Sequence, residues 1–366
     1  MRTYTKLKPR FQKNQNDSQN EKQKPLKNSI QWLISFFIGF SSLLLFSCSS
    51  GQTNPNSYPI AITPKHIDTD FMQLKLNGSI ALKPSTFNTI PVQELSGIAW
   101  DNDEKLLYAV SDEGYFYHIK VSLKNNQLDA MQVVYAARLT DSEGIPLKGK
   151  HRDSEGLSTL NTNNGKPGDT QLIISFENKP RIEKFSTKGR MISTIKLPKK
   201  IRKKNKFSHK NKALESVTYH PKYGVITAAE YPIKNRDDSI QTVFSSKGKE
   251  WNFERSKAPN SAITGLEVLA NGDLLVLERA YKNPITPVVI NLRRLQLDQC
   301  NTDRLCKTQA IARFDAADDW SIDNFEGLAH YKDNQYFMIS DDNNNIFQKT
   351  ILVFFEVIDA EESNKK

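Results

Sequence analysis

The segment Ser154-Glu-Gly-Leu-Ser-Thr159 decides the fold, because four variants of it recur along the chain. The third residue of each copy, which we call the marker, is at 97, 156, 216, 265 and 327, with steps of 59, 60, 49 and 62 residues. Self-similarity at such a period is typical of repeat architectures. The other copies are Leu95-Ser-Gly-Ile-Ala-Trp100, Leu214-Glu-Ser-Val-Thr-Tyr219, Ile263-Thr-Gly-Leu-Glu-Val268 and Phe325-Glu-Gly-Leu-Ala-His330.

A second β-rich run follows each marker and ends in an acid 13 to 21 residues after it. The longest spacing contains a turn-rich insertion at 161–169. Two further strands usually follow, and four short strands in ~50–60 residues are typical of a propeller blade. The acids that end these runs are Asp112, Glu177, Glu230, Glu278 and Asp341.

The sequence therefore predicts an all-β fold, a β-propeller with five visible repeats and five or six blades. The last repeat lacks a strand, which Met72–Leu82 can supply. That pairing would close the ring and remove an open sheet edge.

The amino terminus indicates export. Residues 1–29 hold eight Lys and Arg, and residues 30–47 hold no charge. The run ends in Leu45-Phe46-Ser47-Cys48, which resembles the lipobox of bacterial lipoproteins. We expect a lipoprotein signal peptide at 1–47, a lipidated Cys48, a flexible tether at 48–70, the propeller at 71–358 and a disordered tail at 359–366. A plain signal peptide or an uncleaved anchor is the alternative.

The charge and the cysteines fit an exported protein. From Cys48 onward the chain has 43 basic and 39 acidic residues, so the formal charge of +10 resides mainly in the amino terminus and nucleic-acid binding is not expected. Ser49 after the lipobox favours the periplasmic face of the outer membrane. Outside the cytoplasm, Cys300 and Cys306 are expected to form a disulfide, with a metal site as the weaker alternative.

The repeats resemble the phytase-like family described as esterase-like activity of phytase. The motifs that carry this resemblance are Asp153-Ser-Glu-Gly-Leu157, Leu275-Val-Leu-Glu-Arg279, Asn324-Phe-Glu-Gly-Leu328 and Ser340-Asp-Asp-Asn343. The resemblance covers residues 90–358 and implies a propeller in a secreted or envelope location.

Equivalent positions of every blade converge at the axis of a propeller, so the acids that end the second runs should lie together. Glu155, Glu215 and Glu326, each preceding a marker, form a second set, and either Asp341 or its neighbour Asp342 faces the channel. Several close carboxylates repel one another unless they are protonated or bound to a cation. Oxygen ligands in this number suit Ca²⁺, or Mg²⁺ with waters in its shell.

The leading hypothesis is a divalent-cation-dependent hydrolase of phosphate esters, in which Arg181 and Arg279 clamp the anion. The ligand would be a small phosphate ester or another anion, and we expect a monomer. One alternative is a non-catalytic propeller that binds a ligand or envelope partner, with the same acids joining blades. A lactonase-like propeller is a third possibility. A serine esterase is less favoured, because the chain has no Gly-x-Ser-x-Gly motif.

Overall fold

The computed structural model describes residues 56–209, 212–283 and 286–358. The predicted signal peptide, Cys48, much of the predicted tether and the predicted tail lie outside these residues. The helical segments in the described ranges are four 3₁₀ turns, and none of them is long enough to cross a membrane. These turns are Gly149–His151, Lys199–Ile201, Lys204–Lys206 and Ala316–Asp318.

Five strands precede the first repeat. A small β-hairpin, β4 and β5, connects the longest of them, β3, to the first blade. The bounds are β1 Ser57–Pro59, β2 Asp70–Phe71, β3 Leu74–Leu82, β4 Ser85–Phe87 and β5 Ile90–Val92.

Four antiparallel sheets of four strands follow, each in simple sequence order, and we call them blades 1 to 4. Blade 1 contains β6 Leu95–Asp101, β7 Leu106–Ser111, β8 Tyr115–Lys124 and β9 Gln127–Arg138. Blade 2 contains β10 Ser154–Leu160, β11 Gln171–Phe176, β12 Arg181–Ser186 and β13 Met191–Ile195. Blade 3 contains β14 Leu214–His220, β15 Gly224–Ala229, β16 Ile240–Ser245 and β17 Glu250–Glu254. Blade 4 contains β18 Ser261–Val268, β19 Leu274–Ala280, β20 Val289–Cys300 and β21 Cys306–Asp315.

Blade 5 combines the two ends of the described chain. Its strands β22 Asn324–Lys332, β23 Gln335–Asp341 and β24 Ile351–Val357 come from the last repeat. Strand β3 pairs antiparallel with β24, and β1 and β2 pair with β3. The innermost strand of each blade contacts that of the next, and β22 contacts β6. The described chain therefore forms a five-bladed β-propeller.

The hydrophobic core is divided among the blade interfaces. Five clusters of buried side chains lie between successive blades, and each draws residues from two adjacent sheets. A sheet that packs against a neighbour on both faces needs apolar residues on both. This explains the continuous apolar runs, such as Leu274–Leu277, in the second strands.

The markers bring the inner strands close together at the axis. A Cβ added to Gly97 would lie 2.4 Å from the carbonyl oxygen of Glu155, and one added to Gly156 would lie 2.6 Å from the amide nitrogen of Val217. Only glycine permits such an approach. The markers surround a cavity of about 10 Å³, which has room for about one water molecule.

Candidate functional site

A β-bulge in each inner strand shapes the site. In every blade the pairing of the first two strands shifts register at or directly before the marker, so that the preceding residue lies in the bulge. Bulges redirect a side chain and are frequent beside active sites. The bulged residues are Ser96, Glu155, Glu215, Thr264 and Glu326.

The strand register also identifies which residue ends each second run. In each blade the residue two positions before the marker pairs with a residue near the end of the second strand. These partners are Ser111, Phe176, Ala229, Glu278 and Ser340 in blades 1 to 5. The residues that directly follow these partners are therefore structurally equivalent. This position, which we call the ring position, holds Asp112, Glu177, Glu230, Arg279 and Asp341.

Glu278 thus lies one residue out of register with the other acids, and its predicted place in the ring is wrong. Successive residues of a strand point to opposite faces. The carboxylate of Glu278 accepts bonds of 3.2 Å from Nη1 of Arg293 on β20 instead. Blade 4 contributes the cation Arg279 to the ring.

Five carboxylates from blades 2 and 3 converge, and we call them the acid cluster. They form two triads within which ligand oxygens lie no more than 4.8 Å apart, and Glu177 belongs to both. Asp153, just before β10, was not among the predicted site residues, because no other blade carries an aspartate there. The cluster consists of Asp153, Glu155, Glu177, Glu215 and Glu230.

Blades 1 and 5 extend the negative charge around the axis. Asp112, Glu94 and Glu113 form a third group with oxygens within 4.8 Å. The charges of Asp112 and Glu326 both act on Asp341, which places these predicted residues near one another. Glu94 and Glu113 were also missed, since neither ends a strand or precedes a marker.

Two cations pair with the acid cluster, and both contact Glu230. The Lys212 ammonium lies 2.9 Å from Oε2 of Glu230, and Nη2 of Arg279 lies 3.3 Å from Oε1. Nη1 of Arg279 lies 2.9 Å from Oε1 of Glu326 and also donates to the side-chain oxygen of Asn324. Arg279 therefore joins blades 3, 4 and 5.

The remaining carboxylates of the cluster have few partners. Glu155 and Glu215 are 8% and 7% exposed, and neither accepts a hydrogen bond from a residue that the structure describes. Among the described residues, Glu177 accepts a hydrogen bond from the amide of Ala213 at 3.2 Å. In blade 1, Oδ1 of Asp112 is buried and has no partner among the described residues. Buried polar groups without partners are rare in folded proteins.

Burial and like charge raise the pKa of most of these carboxyl groups. Burial, with the charge of Glu94, raises the pKa of Asp112 to about 7. Burial, with the charge of Asp153, raises the pKa of Glu177 to about 7. Burial also raises the pKa values of Glu155 and Glu215 well above the ordinary range and that of Asp341 to about 9. Several of these groups therefore hold protons at neutral pH when no cation is bound.

Two predicted site residues have structural contacts elsewhere. The Arg181 guanidinium pairs with Glu183 at 3.0 Å and stacks on Phe176, with 3.7 Å to the ring centroid. Asp342 accepts bonds from the amides of Glu94 and Asn344 and from the Thr350 hydroxyl. Asp341, not Asp342, occupies the ring position.

Cys300 and Cys306 form a disulfide at the β20–β21 turn.

Solved structures similar to this chain include three that are 8 to 14% identical to it. The PQQ-bound aldose sugar dehydrogenase of Streptomyces coelicolor is 9% identical with a TM-score of 0.39, over 77% of this chain and 97% of that one. The Cps50 (Swd1) β-propeller domain of Myceliophteria thermophila is 8% identical with a TM-score of 0.36, over 77% and 91%. The extracellular domain of a hybrid two-component system from B. thetaiotaomicron is 14% identical with a TM-score of 0.35, over 76% of this chain and 30% of that one.

A family model extends over the repeats. No curated protein matches the chain. The model described as "Esterase-like activity of phytase" matches residues 90–344, a range that contains all five markers and the whole acid cluster. The chain belongs to the phytase-like family.

Proposed function

We propose that the protein is a divalent-cation-dependent hydrolase of phosphate esters, with calcium as the favoured ion. One observation carries this proposal: two nine-tenths-buried glutamates, Glu155 and Glu215, point into the acid cluster without a hydrogen-bond partner among the described residues. A buried carboxylate is strongly destabilising unless it is paired, protonated or bound to a metal.

The donor set of the cluster fits a hard cation. All five side chains offer carboxylate oxygens, and each triad keeps its oxygens within 4.8 Å of one another. Ca²⁺ takes six to eight oxygen ligands in flexible geometry, whereas Mg²⁺ requires a near-ideal octahedron. Glu177, shared by both triads, would be the central ligand.

A bound divalent cation would neutralise phosphoryl oxygens and lower the pKa of an attacking water. The chain supplies the remaining functions. Asp112, whose pKa lies near 7, can hold a proton at neutral pH and donate it to the leaving alcohol oxygen. Arg279 acts as a positioning residue, because its bonds to Glu230 and Glu326 fix two carboxylates.

The predicted clamp of two arginines has a weaker basis than the cation site. Arg279 is shared between two carboxylates, and Arg181 is paired with Glu183. Neither guanidinium is free to neutralise a phosphate without breaking these contacts. We therefore assign phosphate binding to the cation held by the cluster.

Calcium titration by calorimetry and a phosphate-release assay with and without EDTA test the proposal together. We expect stoichiometric binding of Ca²⁺, and turnover that EDTA abolishes and added Ca²⁺ restores. Glu177→Gln removes the shared ligand and should abolish both, while Glu183→Gln, in the Arg181 ion pair, should leave calcium binding unchanged. Absence of binding heat and of thermal stabilisation by Ca²⁺ would overturn the cation site. Calcium binding without release from any ester would favour the non-catalytic propeller.

We also propose that Cys48 anchors the protein at the periplasmic face of the outer membrane. The basis is the sequence Leu45-Phe46-Ser47-Cys48 and Ser49. Fractionation of cells that express Cys48→Ser should move the protein from the membrane to a soluble or unprocessed form. Unchanged membrane association and processing would contradict the anchor.

A further inference from the structure

A large pocket adjoins the acidic end of the propeller. Its volume is about 700 Å³, within the range of small-molecule sites. Arg279 and Asn324 form one wall, and the same two side chains contact Glu326. Through its contact with Glu230, Arg279 therefore links the pocket to the acid cluster.

The rest of the pocket offers apolar surface with amide groups beside it. Tyr281, Val288, Ile322 and Phe347 contribute the apolar part, and Gln348 lies next to them. Phe347 is 87% exposed and Tyr281 is 42% exposed. These two aromatic side chains line a concave pocket that also offers polar groups, which is the combination found in small-molecule sites.

The segment that carries Phe347 is held by many hydrogen bonds. Asp323 accepts bonds from Nε2 of Gln348 at 3.0 Å and from the amide of Lys349 at 2.7 Å. The amide of Phe347 donates to the side chain of Asn345 at 3.1 Å. The exposed ring is therefore presented by an ordered turn, which suits recognition of a rigid group.

The charges of the lining residues limit what the pocket can hold. Arg279 is the one cationic side chain among them, and it already pairs with Glu230 and Glu326, while Asp323 adds a negative charge. A polyol that carries many phosphates would bring several dianions into a pocket without spare positive charge. A flat apolar group would meet aromatic surface and amide donors instead.

We infer that this pocket binds the alcohol part of the substrate, and that the substrates are phosphate esters of an aromatic or similarly flat apolar alcohol. This inference rests on the proposed function. It places the phosphate at the acid cluster and the ring of the alcohol against Phe347 and Tyr281.

The test uses the full chain loaded with Ca²⁺ and three probes: 2-naphthyl phosphate, glycerol 2-phosphate and inositol hexakisphosphate. We expect kcat/KM for 2-naphthyl phosphate to exceed that for glycerol 2-phosphate at least about tenfold. Part of this ratio comes from the better leaving group of the aryl ester, so the pocket is tested by substitution, with aromatic contacts of this kind each worth about a factor of two to ten. Phe347→Ala should lower only the naphthyl value, by about five- to tenfold. Ile346→Ala is the matched control, because Ile346 is 91% exposed on the same turn and does not line the pocket.

Equal loss on both small esters in Phe347→Ala, or a preference for inositol hexakisphosphate, would overturn the inference and leave the hydrolase proposal standing. If no ester is turned over, the hydrolase proposal fails, and a fluorescence titration with 2-naphthyl phosphate decides the inference alone. Binding that Phe347→Ala weakens and Ile346→Ala does not would support the pocket. Absence of binding would refute it.

Discussion

Two sets of buried glutamates in this propeller differ in how their charge is satisfied. Glu278 in blade 4 is 1% exposed and pairs with Arg293, and the half-buried Glu267 on the same blade accepts bonds from Thr218, Val268 and His330. Glu155 and Glu215 are about equally buried but have no such partners among the described residues. Burial alone therefore does not mark a site. What distinguishes the acid cluster is that its buried carboxylates outnumber the cations that pair with them, so a bound cation would stabilise it.

The largest expected effect is on stability: substitution of a glutamate by glutamine should destabilise the protein in the paired set and stabilise it in the acid cluster. Glu278→Gln leaves the Arg293 guanidinium buried without its counter-charge and should lower the free energy of unfolding by about 3 kcal/mol. Glu215→Gln removes a carboxyl group that must either stay charged among other acids or take up a proton on folding, and it should raise the free energy of unfolding by at least about 1 kcal/mol in EDTA at pH 8. Urea unfolding monitored by circular dichroism measures both. Destabilisation of similar size by both substitutions would show that the acid cluster is a structural network.

The second prediction concerns cation affinity. Glu177→Gln removes the ligand common to both triads, so the Kd for Ca²⁺ should rise at least about 100-fold, because loss of even an outer-shell partner commonly weakens binding 10- to 100-fold. Calorimetry on the folded variant measures this change. Glu278→Gln is the control, and its Kd should stay within about twofold. A Kd that changes equally in both variants would place the ion elsewhere.

The pH dependence of stability tests the carboxyl groups around the axis. In EDTA, Asp112 and Glu177 titrate near 7 and Asp341 near 9 in the folded protein, above the ordinary values near 4. Between these limits the folded state binds more protons than the unfolded state, so the stability due to these groups falls as pH rises from about 4 to about 9.

Saturating Ca²⁺ should oppose this trend, because the ion displaces the proton of its ligand Glu177 and binds more tightly at high pH. Melting temperatures at pH 5 and pH 9, with EDTA or Ca²⁺, test both statements. The gain from Ca²⁺ should be several degrees larger at pH 9. An equal gain at both pH values would contradict the assignment of Glu177 to the cation.

Much of the fold could be predicted because its evidence is repeated. The five markers and the apolar second strands recur at similar intervals along the chain, and the structure has five blades around them. The ring position could be predicted for Asp112, Glu177, Glu230 and Asp341 for the same reason. Glu278 was misplaced because the spacing from marker to acid varies, and a one-residue difference in strand register is not visible in an acidic residue followed by Arg279.

Features that most blades lack could not be found in this way. Asp153 and Glu94 each lie three residues before a marker, but the other blades have Ala213, Ala262 and Asn324 at this position, so the repeats do not predict an acid there. The pairing of Arg279 with acids from two other blades depends on side-chain reach across the axis. The pocket beside it depends on the turn that carries Phe347. Such contacts follow from three-dimensional packing, which local sequence patterns do not encode.

The smallest expected effect concerns Lys212, whose ammonium supplies part of the positive charge that a bound cation would bring to the acid cluster. Its ammonium lies 2.9 Å from Glu230, and its side chain is 41% exposed, so solvent weakens its influence on the cluster. Lys212→Met should therefore tighten Ca²⁺ binding by only about three- to tenfold, since a competing cation has been removed. Lys222→Met, which breaks the exposed contact with Asp298 at the β14–β15 turn, is the control and should change nothing, because this turn is at the other end of these strands from Glu215 and Glu230. If Lys212 were simply a structural partner of Glu230, its removal would lower stability and leave the affinity unchanged. A tighter complex in this one variant would show that the cluster, unlike the paired glutamates of blade 4, is built to receive more positive charge than the chain provides.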